Sequence, residues 1–88
     1  MQEYLNQILP TVETLQKKNT DYGNSYELLR ERFGEVAFIV RLFDKVYRLE
    51  ALYNNGEAKV TDESFEDTIK DIVGYCTLEL KYRSERRE

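Results

Sequence analysis

The stretch from Glu35 to about Tyr53 limits the fold of this chain more than any other, because it holds neither proline nor glycine and gathers its apolar residues into one wide arc. Val36, Ile39, Phe43, Val46 and Tyr47, with Leu42, Leu49 and Tyr53, spread over about half of a helical wheel at ~100° per residue. Its one polar strip is Arg41, Asp44, Lys45 and Arg48, at spacing i, i+3, i+4, i+7. A helix with so wide an apolar arc is central, either within a bundle or in a subunit interface. The chain has 88 residues, one small domain that can bury only a modest core. An oligomer, most simply a dimer, is therefore the expected state.

The other segments follow the same helical period. Gln2 to Lys18 places Leu5, Ile8, Val12 and Leu15 on one face, with Pro10 expected to kink or restart the helix. Asn19 to Asn24 is rich in turn formers. A short helix is expected from Ser25 to about Phe33, with Asn24 as N-cap and Glu27 completing a capping-box-like pair. Gly34 breaks the chain, and Asn54-Asn55-Gly56 stops the long helix. Thr61-Asp62 is the expected N-cap of a last helix running to about Tyr82, with a core stripe of Phe65, Ile69, Ile72, Val73, Cys76 and Leu80. Residues 82–88 are expected to be a frayed, solvated tail. No segment alternates with period 2. The expected fold is all-α, a bundle of three long helices and one short helix within a single domain, residues 1–88.

Composition removes several kinds of function. The formal net charge of −4 argues against DNA binding driven by bulk charge. Without histidine there is no Ser-His-Asp or Cys-His catalysis and no imidazole metal ligand. The single cysteine, Cys76, forms no internal disulfide and suits a reducing cytoplasm. No stretch resembles a signal peptide or a membrane span. These features give the expectation of a cytoplasmic protein.

Three groups of residues can carry chemistry. Glu63, Asp67 and Asp71 stand at i, i+4, i+8 on the last helix, where carboxylates can hold Mg²⁺ or Mn²⁺; an acidic first turn is also what a helix dipole favours. Tyr75, Leu78 and Tyr82 continue on the same side as Asp71, so that carboxylate lies at a packed boundary and needs a partner. Arg41 and Arg48 either pair with Asp67 and Asp71 across a helix interface or bind the phosphates of a ligand, since a guanidinium fork fits both anions. The segment Lys17 to Ser25, containing Lys18, Asn19, Asp21 and Tyr22, is either an anion cradle at a helix start or an ordinary turn.

Taken in order, Lys18-Asn19-Thr20-Asp21-Tyr22-Gly23-Asn24-Ser25, then Arg41-Leu42-Phe43-Asp44-Lys45-Val46-Tyr47-Arg48-Leu49, then Asp62-Glu63-Ser64-Phe65-Glu66-Asp67-Thr68-Ile69-Lys70-Asp71, the chain resembles the nucleotide modification associated domain 1 family. These are small helical proteins of bacteria and especially bacteriophages. The resemblance implies a link to nucleotide or DNA-base modification and a distant similarity to MazG-like all-α pyrophosphohydrolases, which bind Mg²⁺ through two acidic motifs. On that pattern Asp44, Glu63, Asp67 and Asp71 are the residues that would hold Mg²⁺. The earlier acidic motif has no counterpart, since Arg41, Asp44, Lys45 and Arg48 occupy its place. The expectation is then an oligomeric binder of a nucleotide or nucleotide derivative, contacted by Lys18, Asn19, Asp21, Tyr22, Arg41, Lys45, Arg48, Asp67 and Asp71. A Mg²⁺-dependent pyrophosphohydrolase and a structural interaction module are the alternatives.

Overall fold

A computed structural model of the chain describes residues 1–21, 24–55 and 65–87. Among these residues there are four helices and no strand: α1 (Gln2–Asp21), α2 (Ser25–Phe33), α3 (Val36–Asn55) and α4 (Phe65–Glu85). α4 packs on α3 and on α1, and α2 packs on α3. No described helix is long and apolar enough to cross a membrane.

Local chemistry departs from the sequence expectation at the end of α1, which extends to Asp21, and at the start of α2. α1 runs through Pro10 to Asp21 without restarting. A proline inside a helix forfeits its own N–H bond, but the long flanking turns remain, and the Thr14 hydroxyl donates to the Pro10 carbonyl at 3.0 Å. Asn24 does not form the capping box. It sits in the left-handed region at φ 59° and makes no side-chain cap; its Oδ1 accepts from Asn19 Nδ2 at 2.9 Å. Glu27 instead accepts from Arg86 Nη2 at 2.8 Å. Gly34, at φ 74° and ψ −161°, ends α2 in a conformation open to glycine and closed to residues with a Cβ. The proposed N-cap at Thr61-Asp62 lies outside the described residues.

The wide apolar arc of α3 and the expected core stripe of α4 are only partly covered within the chain, with Leu42 and Leu49 half-buried. On α3 the half-buried positions include Lys45 and Arg48, while Val36, Ile39, Val40, Phe43 and Tyr47 are exposed. On α4 the supposed core stripe is uncovered at Phe65, Ile69 and Leu80, with Ile72, Val73 and Cys76 half-buried. The buried positions are Thr68, Gly74 and Glu79. Among the described residues, the buried hydrophobic side chains are only Tyr26, Ala37 and Leu52.

What replaces an apolar core at one end is a buried carboxylate. Glu79 Oε1 accepts from Arg30 Nε at 2.7 Å and from the Tyr26 hydroxyl at 2.7 Å, while Oε2 accepts from Arg30 Nη2 at 3.0 Å and from Arg83 Nε at 2.6 Å. The bidentate Arg30 bonds, opposed by burial, hold the Glu79 carboxyl down at about 2. Burial, reinforced by the Glu79 bond, pushes the Tyr26 phenol well above its ordinary range.

The tail is not frayed up to Glu85. Arg83 reaches Glu35 at 3.2 Å. Arg86 bonds Glu27 and Glu31 at 2.8 Å each. The Tyr82 ring is sandwiched between the Arg30 and Arg86 guanidiniums at 4.4 and 3.7 Å.

Two outcomes follow for Glu79. Glu79→Ala should cost about 3–5 kcal/mol in urea unfolding, because it strands a buried guanidinium. The contribution of Glu79 is complete above its unfolded value of 4.5 and is lost as pH falls from there toward about 2. The wild-type urea midpoint should therefore drop across that window, and Glu79→Gln should flatten the drop. Parallel pH curves for the two proteins would contradict this assignment.

Candidate functional site

Three helix faces meet over one groove of about 820 Å³. α1 supplies Thr11, Thr14, Leu15 and Lys18, at i, i+3, i+4, i+7, and Asn19 beside them. α3 supplies Arg41, Lys45 and Arg48, its polar strip turned inward. α4 supplies Asp67, Lys70, Asp71, Gly74, Tyr75 and Leu78 from one side of the helix. Tyr26 of α2 lines the groove as well, so the buried Glu79 network also positions part of its wall. α1 passes close to α4 at Gly74, where a Cβ would make ordinary contact, 3.5 Å from Leu15 Cδ1.

Among the described residues, the groove gathers five cations, Lys18, Arg41, Lys45, Arg48 and Lys70, against two carboxylates, Asp67 and Asp71. The chain as a whole carries a net charge of −4, so positive charge is concentrated here against the overall balance. Lys45 Nζ lies 3.3 Å from Asp71 Oδ2 and bridges α3 to α4. The sequence assigned Asp71 to Arg41 or Arg48, but Lys45 is its ion-pair partner. The side chains of Lys45 and Asp71 are 21% and 42% exposed, a solvated pair that adds little stability.

Lys18, Asn19, Arg41, Lys45, Arg48, Asp67 and Asp71, all named from the sequence, line this one groove. Asp44 is exposed and is not among the lining residues. Tyr22, Glu63 and the Asp21 side chain lie outside the described residues. Lys70 was placed on an acidic helix face, and Thr11, Thr14 and Tyr75 were not singled out as ligand contacts. Their signal was present in the sequence: Lys70 precedes Asp71, and Tyr75 follows it by one turn. Among the described residues no three carboxylates or thiols gather as a metal site.

Residues 18–80 match the family described as nucleotide modification associated domain 1, and the chain belongs to that family. No curated protein and no solved structure matches it.

The groove charges should be dispensable for folding. A double-mutant cycle on Lys45→Met and Asp71→Asn, read by urea unfolding, should give a coupling of less than about 1 kcal/mol. A coupling of several kcal/mol would make the pair a structural strut.

Proposed function

We propose that this chain is a small oligomeric protein that binds a nucleotide or nucleotide derivative in the groove between α1, α3 and α4. The observation that carries this reading is the collection of five cations in one groove of a net-negative protein. Evenly scattered lysines and arginines would give no such field. Arg41 and Arg48 offer planar forks for phosphate oxygens, and Lys18 and Lys70 add point charges at the edges. Tyr75, half-buried on α4, offers aromatic surface for a base. The volume falls within the roughly 300–1,000 Å³ of small-molecule sites. Membership of a family named for nucleotide modification supports the same ligand class.

Phosphate is held by side chains directly on this reading, with no metal between. Asp67 and Asp71 orient the cations and accept hydrogen bonds from a base or ribose. Such a protein serves nucleotide or DNA-base modification, or sequesters a signalling nucleotide, in the cytoplasm of a bacterial or phage-infected cell. The similarity to MazG-like enzymes belongs to the same proposal, with the groove kept and the hydrolytic metal set lost.

Calorimetry with nucleoside di- and triphosphates in EDTA tests the reading. Binding should persist without a divalent ion, raise the melting temperature by mass action and leave the nucleotide intact. Arg41→Ala should weaken it by roughly tenfold or more, as a charged hydrogen bond is worth about 1.5–3 kcal/mol. Mg²⁺-dependent release of pyrophosphate would replace the binder with a hydrolase, and absence of binding to any phosphate-bearing probe would refute both.

A further inference from the structure

We propose that the outward face of α3 is a seam on which a second copy of this chain docks, α3 against α3 and antiparallel. This goes beyond the ligand reading and stands or fails independently of it.

The chain exposes too much surface for a solitary protein. Its accessible area is 7030 Å², whereas a folded monomer of 10.5 kDa is expected to expose about 5,400 Å². The radius of gyration is 14.4 Å, against about 12 Å for a compact chain of this length. The excess of roughly 1,600 Å² is more than the ~800 Å² per partner of a stable interface.

α3 marks where a partner fits. Val36, Val40, Phe43 and Tyr47 recur at intervals of four, three and four residues, and are 53%, 58%, 70% and 64% exposed. That is the spacing of a helix-pairing seam. Ile39 and Val46 widen it, aromatic residues occupy its centre, and the charged strip of α3 points the other way, into the groove.

The stripe also fits its own copy. A two-fold contact requires residue i to meet j while j meets i. Centred on Phe43, an antiparallel pair sets Phe43 by Phe43, Val40 by Val46, Ile39 by Tyr47, and Val36 by Glu50. Glu50 is the next position in the series and is exposed. In this arrangement it lies at the start of the partner's α3, where the helix dipole favours a carboxylate. A parallel pair would instead bring the two Glu50 carboxylates together.

Sedimentation or light scattering of the full chain at micromolar concentration, without nucleotide, tests the seam. The wild type should show twice the 10.5 kDa chain mass. Phe43→Glu should weaken association at least 100-fold and give the monomer mass. Ile8→Glu and Leu80→Glu, at exposed apolar positions of α1 and α4, should leave the dimer intact. Where Phe43→Glu fails to fold by circular dichroism, the double variant Cys76→Ser, Phe43→Cys should oxidise to a covalent dimer, and Cys76→Ser, Leu80→Cys should not. A monomeric wild type would overturn the proposal. So would dissociation by Ile8→Glu or Leu80→Glu with Phe43→Glu still dimeric, or equal cross-linking at positions 43 and 80. Because no nucleotide is present, failure here leaves the ligand reading standing, and failure of nucleotide binding leaves the seam standing.

Discussion

Glu79 is the point on which the described helices depend. A lone carboxylate in that position would be too costly to bury. Its two oxygens accept four bonds from Arg30, Tyr26 and Arg83. Those donors come from α2 and from the next turn of α4. Arg83 then reaches Glu35 just ahead of α3, and Arg86 returns to α2. A short helix of nine residues, marginal alone, is thereby held at a defined place. With α2 fixed, Tyr26 lines one wall of the groove.

This arrangement explains how a chain with so few buried apolar side chains still has a defined interior. Lys45, Arg48 and Glu79 share the intramolecular contacts with Leu42, Leu49 and Leu52, while Val36, Phe43 and Tyr47 are turned outward. The inward charged set divides in two. Near the end of α4 the charges saturate one another around Glu79 and act as structure. Among the described residues lining the groove, five cations stand against two carboxylates, and the proposed anion site rests on that balance. The two clusters are separated by about two turns of α4, from Asp71 to Glu79.

Much of this was legible in the sequence, and the misses have identifiable causes. Helical period and the scarcity of proline and glycine led directly to four helices among the described residues. The i, i+4, i+7 strip of α3 and the Asp67–Asp71 pair pointed to one groove because each helix has few polar positions to turn toward the other. Orientation was harder. A hydrophobic arc says that a surface wants covering, and it does not say whether its own chain or another supplies the cover. The stripe read as the core of α4 is uncovered at Phe65, Ile69 and Leu80, whereas Lys45 of the α3 strip does face α4. Glu79 was missed because periodicity treats a carboxylate among Tyr75, Leu78 and Tyr82 as a surface residue. The rule that a charge at a packed boundary needs a partner was applied to Asp71, eight residues earlier, and applies more strongly to Glu79. Arg83 and Arg86 looked like a solvated tail since nothing local reveals that Glu27, Glu31 and Glu35 lie opposite.

The central claim is that anionic ligands enter the α1–α3–α4 groove and are held there by its cations. Side-chain NMR of arginine Nε–H and lysine Nζ groups, with a nucleoside triphosphate added in the absence of divalent ions, tests it most directly. The account predicts that Arg41, Arg48, Lys45 and Lys70 shift together and saturate, while Arg30, Arg83 and Arg86 keep their positions. Shifts confined to Arg83 and Arg86, or appearing only once Mg²⁺ is present, would contradict it.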